Sequence, residues 1–187
     1  MSSHQSSGVN GCGDSCGLLA GPDLLMWARQ RTFVKPGKVC KVIPNLFQGN
    51  KAGAGSKKDM TGNKIAAIVS VGGGPCRQDN VNFLHIGAKD GDSLLDEFEE
   101  TVDMIHDMLR EGNAVFVHCM GGISRSPSMV IAYLVKHRDL NLREALELMR
   151  LARPRISPNG ELGNDLVQWE KRVRGEATVT VAELRQF

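Results

Sequence analysis

The sequence lacks the features that mark membrane-spanning and secreted proteins. Its 187 residues contain no apolar run that approaches the roughly 18 residues a transmembrane helix needs. The N-terminus has neither the charged start nor the apolar middle of a secretory signal. We therefore expect no membrane span and a cytoplasmic protein, with the nucleus as the alternative compartment.

An excess of charge of either sign is also missing. The chain has 23 Lys and Arg against 21 Asp and Glu, a formal net charge of +2. Nucleic-acid-binding domains usually present a strongly basic surface, so nucleic acid is not an expected partner. Apolar residues make up 41% of the chain and charged residues 24%, as in an ordinary globular domain with a packed core. The oligomeric state stays open.

Cysteine occurs in no pattern typical of a disulfide framework or a zinc site. The count of five is odd, and the C-x3-C pair Cys12 and Cys16 has no second pair to complete four ligands. Without a secretion signal, a reducing compartment and no metal site are expected. One hypothesis is that Cys76 or Cys40 forms a reversible disulfide with Cys119. The simpler interpretation is that these thiols are unrelated.

The composition changes along the chain and suggests three parts. Residues 1–17 are rich in Ser, Gly and Asn, so we expect them to be disordered. An apolar patch at residues 24–27 either packs on the following domain or acts as a docking segment. We predict an N-terminal extension at 1–37, one regular domain at 38–174 and a C-terminal tail at 175–187.

Strand and helix patterns alternate through that domain. β-Branched and apolar runs predict strands at 39–43, 46–47, 65–71, 83–86 and 114–117. Apolar residues at helical spacing predict helices at 93–111, 129–135, 142–152 and 159–172. The alternation predicts a single α/β domain, with a twisted, mostly parallel sheet of about four to five strands flanked by helices.

The segment HCMGGISRSP at residues 118–127 joins the apolar strand 114–117 to an apolar helix. Pro127 suits a first helical turn, and the free amides of a helix N-terminus favour an anion. Two adjacent glycines can take positive φ and turn successive N–H groups inward around a tetrahedral oxyanion. The predicted anion-binding residues are Met120, Gly121, Gly122, Ile123, Ser124 and Arg125.

Cys119 and Arg125 stand at opposite ends of this loop. The guanidinium of Arg125 offers a planar fork to two phosphate oxygens and keeps its charge. Amide groups, the helix dipole and that guanidinium all favour the thiolate of Cys119. The pair therefore predicts a nucleophile aimed at the phosphorus of a bound ester.

The motif H-C-x-x-G-x-S-R-S at residues 118–126 resembles the active-site loop of the dual-specificity protein phosphatases, within the cysteine-dependent protein tyrosine phosphatase superfamily. The resemblance covers about 38–174 and includes IPNLFQG at 43–49, AYL at 132–134 and RPRISPN at 153–159. It implies hydrolysis of phosphotyrosine, phosphoserine and phosphothreonine through a phosphocysteine, with no cofactor. Where the family tends to read Pro-Asn-x-Gly-Phe with a Gln further on, this chain has Glu161, Leu162 and Asp165. We expect this departure to affect helix packing rather than catalysis.

The resemblance also implies two further catalytic residues. The family places a general acid, later a base, on a loop before the cysteine, and Asp90 fits its Ala-x-Asp pattern. Asp92 is the alternative, although Asp92 and Ser93 could instead cap the next helix. Ser126 is expected to donate a hydrogen bond to the sulfur as it leaves phosphorus.

The loop residues 120–123 carry no charge. The phosphoinositide phosphatases of the same superfamily, by contrast, have lysines in the corresponding loop. Phosphoprotein is therefore the expected substrate. Tyr133 is the single tyrosine, so the aromatic wall of a phosphotyrosine-only pocket is missing and a shallow pocket is expected. Two alternatives stay open: a non-catalytic phosphopeptide reader with the same loop, and a rhodanese-like sulfurtransferase, which the Ser-Arg-Ser run disfavours.

Overall fold

A five-stranded sheet carries the fold of the computed structural model, which describes residues 19–31, 37–76, 78–158 and 160–184. The expected disorder of residues 1–17 lies outside those ranges. The strands are β1 (Val39–Ile43), β2 (Leu46–Asn50), β3 (Ile65–Val71), β4 (Asn82–Ile86) and β5 (Ala114–Cys119). In spatial order they run β1, β2, β5, β3, β4; β1 pairs antiparallel with β2, and all other pairs are parallel.

Helices cover both faces of this sheet. The larger apolar cluster, on one face, includes residues of four long helices, and the smaller cluster, on the opposite face, includes residues of two short ones. Among the described residues, no helix is both long and apolar enough to cross a lipid bilayer. The helices are α1 (Gly21–Arg29), α2 (Lys51–Ala54), α3 (Lys57–Gly62), α4 (Leu95–Arg110), α5 (Arg125–His137), α6 (Leu142–Ala152), α7 (Glu161–Arg174) and α8 (Val181–Leu184).

The predicted α/β fold with a mostly parallel sheet is confirmed. β3 coincides with the predicted strand 65–71 and is buried along nearly its whole length, as an apolar run in a covered parallel sheet should be. β5 lies at the centre, and every residue of it is buried. The helix α5 that follows is buried at each position from Ser126 to Val135, because α4, α6 and α7 surround it.

Several boundaries differ from the prediction. α5 starts at Arg125, four positions before the predicted 129, so Pro127 lies within its first turn, where a missing N–H is tolerated. α7 runs from Glu161 to Arg174 instead of 159–172 and ends at Gly175, whose φ of 87° suits a helix stop. Sequence patterns did not predict α2 and α3, which are capped by the side chains of Asn50 and Ser56.

The chain outside 38–174 also contacts the domain where it is described. Leu24, Leu25 and Ala28 of α1 are buried in the larger cluster, and Arg29 pairs with Glu147 of α6 at 2.6 Å. Leu24, Leu25 and in part Trp27 of the apolar patch at 24–27 thus pack on the domain, the first of its two interpretations, whereas Met26 is 54% exposed. Leu184 of α8 is buried as well. The limits 38–174 remain a prediction.

Candidate active site

The loop of residues 120–124 leaves the carboxyl end of β5 and enters the N-terminus of α5. Its neighbours β2 and β3 end beside it, so three parallel strands meet at this edge. Gly122 has the expected positive φ, 69°, whereas Gly121 does not. A Cβ on Gly122 would stand 2.6 Å from Gly49 O, so the loop can approach β2 only with glycine at this position.

Cys119 lies at the base of the loop with 2% of its surface exposed. Its Sγ accepts hydrogen bonds from Gly122 N at 3.2 Å and from Ser126 Oγ at 3.3 Å. Burial by itself raises the pKa of the thiol. The Ser126 hydroxyl and the amides of Ser126, Gly122 and Ile123 outweigh burial, so the pKa of Cys119 lies below its ordinary value. Among the contributions that lower the pKa of Cys119, that of the Ser126 hydroxyl is the largest, and sequence spacing did not indicate it.

Arg125 connects the loop to two other strand ends. Its Nη1 donates to Gly72 O at 3.1 Å, after β3, and to Ala88 O at 3.0 Å, after β4. The side chain is 11% exposed. Gly72 has a φ of 63°, and a Cβ there would lie 1.8 Å from Ala88 O and 2.2 Å from Arg125 Nη1. A glycine is therefore required at position 72, where the guanidinium contacts the chain just after β3.

Asp90 and Asp92, the two candidate acids, have different surroundings. Asp90 lies across from Arg125, with Oδ1 3.6 Å from Nε, and its side chain is 85% exposed. Asp92 instead accepts a hydrogen bond from Lys89 N at 2.7 Å and closes its own loop. A cavity of about 520 Å³ is lined by Asp90, Cys119, Met120, Gly121, Ile123, Ser124, Arg125 and Ser157. It brings together most of the predicted site residues; Gly122 instead faces the sulfur from the buried side.

His118 and Arg153 support the loop from behind. Burial lowers the pKa of His118, a hydrogen bond with Cys119 O offsets this only in part, and the neutral ring donates from Nδ1 to that carbonyl at 3.3 Å. Arg153, 7% exposed, donates from Nε to Gly122 O at 2.9 Å and from Nη2 to Gly121 O at 3.4 Å. These two bonds hold the carbonyls of Gly121 and Gly122 toward Arg153, while the N–H groups of Gly122, Ile123 and Ser126 point toward Cys119 Sγ. Arg153 falls in the motif at 153–159, but no sequence signal indicated this supporting role.

Asp165 of α7 fixes the start of α4, close to the loop that carries Asp90. It is 1% exposed; Oδ1 accepts from Ser93 Oγ at 2.9 Å and Oδ2 from Leu94 N at 2.7 Å. The helix cap proposed for Asp92 and Ser93 is thus incorrect for Asp92: Ser93 Oγ accepts from Leu95 N at 3.2 Å, and the capping carboxylate is Asp165. The carboxylate also faces the positive end of α4.

We expect Asp165→Ala to lower the free energy of unfolding by about 1–3 kcal/mol, because it leaves the buried Leu94 N–H and the Ser93 hydroxyl without their acceptor and removes a helix cap. Urea denaturation followed by circular dichroism measures the change. Gln168→Ala, on the exposed face of the same helix, is the matched control and should stay near wild type. Equal stability of the two variants would contradict this role of Asp165.

The three cysteines in the described residues are free. Cys76 packs with the apolar cluster on the sheet face opposite to that of Cys119. Cys40 is buried, with Sγ 3.3 Å from Arg153 Nη1. A reversible disulfide between either of them and Cys119 stays a prediction.

The buried thiol, the amide-lined loop and the arginine at one helix N-terminus define a phosphatase of the cysteine-dependent protein tyrosine phosphatase superfamily. The family "Dual specificity phosphatase, catalytic domain" matches residues 46–172. The chain therefore belongs to the dual-specificity protein phosphatases and is a hydrolase of phosphoproteins.

Individual relatives agree with this assignment. Dual specificity protein phosphatase 22-B of Danio rerio is 33% identical over 151 residues, which cover 79% of this chain and 76% of that protein. Dual specificity phosphatase 28 of Homo sapiens is 30% identical over 147 residues, 76% of this chain and 83% of the relative. The crystal structure of human DUSP28 superposes with a TM-score of 0.70 at 27% identity, covering 75% of this chain and 97% of that one.

Proposed function

We propose that the chain hydrolyses phosphotyrosine, phosphoserine and phosphothreonine in proteins through a phosphocysteine on Cys119. The observation that carries the proposal is the position of Cys119 Sγ. It accepts from Gly122 N and Ser126 Oγ at the base of a cavity that Asp90 and Arg125 also line. Nucleophile, cation and proton donor thus face one space large enough for a phosphate ester.

In the first step, the Cys119 thiolate attacks phosphorus and the bond from phosphorus to the leaving oxygen breaks. Arg125 binds two of the phosphoryl oxygens from Nε and Nη2, because Nη1 is already held by Gly72 O and Ala88 O. The backbone N–H groups of residues 120–124 bind the remaining phosphoryl oxygens and stabilise the negative charge that develops on them. Asp90 gives its proton to the leaving oxygen, so the alcohol or phenol departs neutral.

In the second step, water attacks the phosphorus of the phosphocysteine and releases inorganic phosphate. The Asp90 carboxylate accepts a proton from that water, and the bond from sulfur to phosphorus breaks. The electron pair returns to sulfur as a thiolate. Ser126 Oγ, 3.3 Å from Sγ, donates a hydrogen bond to it. Cys119, Arg125, Asp90 and Ser126 are therefore the proposed catalytic residues.

The shape and charge of the cavity support a broad range of phosphoamino acids. Its lining within the described residues includes no aromatic ring and no lysine. Met120 and Ile123 form an apolar rim, with 54% and 46% of their surface exposed. A short rim lets phosphoserine reach Cys119 as well as the longer phosphotyrosine, and the absence of lysine favours a single phosphate group over a polyanionic head group.

Asp90→Asn tests the assignment of the acid. We expect kcat/KM for phenyl phosphate to fall by about 10²- to 10³-fold, because the phenolate would leave without a proton in the first step. With p-nitrophenyl phosphate, whose leaving group is far less basic, the loss should be about tenfold smaller. Steady-state kinetics with both esters measure the difference.

Asp92→Asn is the matched control on the same loop and should remain within about threefold of wild type, since Asp92 only closes the loop onto Lys89 N. If Asp92→Asn instead shows the large loss that depends on the leaving group, the acid is Asp92, and the role given to Asp90 is wrong.

A further inference from the structure

Gln48 is a polar side chain at a fully buried position of β2. It is 0% exposed and follows Leu46 and Phe47 in a strand whose first four residues are all buried. In register it pairs with Val117 of β5, two residues before Cys119 on the same face of the sheet. An apolar residue would satisfy burial at this position. The amide group therefore calls for another explanation.

All the side-chain hydrogen bonds of Gln48 are donated by its amide nitrogen. Nε2 donates to Ser126 Oγ at 2.9 Å, to Gly122 O at 3.2 Å and to Gly49 O at 3.3 Å. Two of these acceptors are carbonyl oxygens, which cannot donate, so the orientation of the amide is fixed with nitrogen toward Ser126. Within the described residues, the buried Oε1 has no hydrogen-bond partner. The fold thus keeps an unpaired buried oxygen in order to hold a donor under the active-site loop.

The hydroxyl of Ser126 has one proton and two acceptors within reach. Cys119 Sγ lies at 3.3 Å and Gly49 O at 3.4 Å. Gln48 Nε2 donates to Ser126 Oγ and so occupies one of its lone pairs. It also donates to Gly49 O, the acceptor that competes with Cys119 Sγ for the Ser126 hydroxyl proton. Both contacts favour donation toward sulfur, and a hydroxyl that accepts one hydrogen bond donates the next more strongly.

We propose that Gln48 is a positioning residue that directs the Ser126 hydroxyl toward Cys119 Sγ. The proposal rests on the proposed function of Cys119 and adds a residue that touches neither substrate nor the reacting atoms. Gln48 acts twice in the cycle, because the same hydroxyl stabilises the thiolate before attack and when sulfur leaves phosphorus. Without the amide, the hydroxyl turns to Gly49 O and both effects weaken.

Removing the amide should leave the fold intact. Gly122 O keeps Arg153 Nε as a donor, Gly49 O keeps the Ser126 hydroxyl, and the unpaired Oε1 disappears. We therefore expect Gln48→Leu and Gln48→Met to melt at or above the temperature of the wild type, while they lose catalytic rate.

The test is a double-mutant cycle between Gln48→Leu and Ser126→Ala in the full chain. The pH dependence of Cys119 alkylation by iodoacetamide, quantified by peptide mass, gives the thiol pKa without any need for phosphatase turnover. We expect Gln48→Leu to raise that midpoint by about 0.5–1 pH unit, and to have no further effect once Ser126 is alanine. Gln48→Met should behave like Gln48→Leu.

Pre-steady-state release of p-nitrophenol supplies the second measurement. Because the phosphocysteine should be hydrolysed more slowly, Gln48→Leu should show a burst followed by a steady state about three- to tenfold slower than that of wild type. If the proposed function of Cys119 fails, no burst forms in any variant although the alkylation midpoints still differ.

Three results would overturn the role of Gln48. The first is an unchanged midpoint in both Gln48 variants. The second is an equal shift with and without Ser126, which would show that the amide acts on sulfur by another route. The third is the loss of folding in both variants, which would show that the amide serves the fold.

Discussion

Cys119→Ser should lose phosphate release by about 10⁵-fold or more relative to wild type, because a serine hydroxyl is not ionised at neutral pH and no phosphoenzyme can form. The substitution removes little volume from the base of the loop. The loop and Arg125 should therefore keep their positions and continue to bind phosphate esters. Turnover of p-nitrophenyl phosphate and binding of a phosphotyrosine peptide, measured on the same preparations, separate the two effects.

The matched control is Cys76→Ser, a thiol in the apolar cluster on the opposite sheet face. Under reducing conditions it should turn over like wild type. A phosphopeptide reader would bind equally well as wild type and as Cys119→Ser, and neither form would release phosphate. That pattern would refute the assignment of Cys119 as the nucleophile.

Arg125→Ala should lower kcat/KM by about 10³- to 10⁴-fold, since it removes two donors to the transition-state phosphoryl group. It also leaves Gly72 O and Ala88 O without the guanidinium that joins them. Arg125→Lys should recover little of the loss, because one ammonium cannot bind both carbonyls and two phosphate oxygens at once. Steady-state kinetics and competitive inhibition by inorganic phosphate measure catalysis and ground-state binding separately.

Arg172→Lys, on the exposed side of α7, serves as the control for a change of basic residue and should match wild type. An Arg125→Lys enzyme with near-native kcat/KM and phosphate inhibition would show that a point charge suffices. The fork geometry would then have no part in the mechanism.

The sequence was sufficient to predict the sheet and the loop because their signals are local. The run at 65–71 is apolar enough to imply a strand covered on both faces. The segment 118–127 carries its glycines, cysteine and arginine within a single short stretch of sequence. The short helices α2 and α3 were not predicted, because their segment has no such local signal. Residues 51–62 contain three glycines and few apolar residues, so side-chain caps and contacts with the sheet decide their structure.

The residues that support the site could not be assigned from spacing. Arg153 reaches the carbonyl of Gly122 from 31 positions away, and Gln48 reaches Ser126 across 78. No periodicity relates such pairs, because strand order and helix packing bring them together. A partial signal did exist: Gln48 interrupts an apolar strand, and Asp165 interrupts the apolar stripe of α7. A polar residue where the pattern demands an apolar one indicates a buried partner without identifying it.

The Arg125 side chain joins the proposed phosphate-binding loop to the start of the neighbouring loop, which carries Asp90. Arg125 tethers that loop at Ala88, and Asp165 tethers it again at Ser93 and Leu94. Between those two anchors, the span from Lys89 to Asp92 is closed on itself by hydrogen bonds between its two end residues. Asp90, within that span, is therefore held beside Arg125 at the cavity by anchors on both sides of its loop.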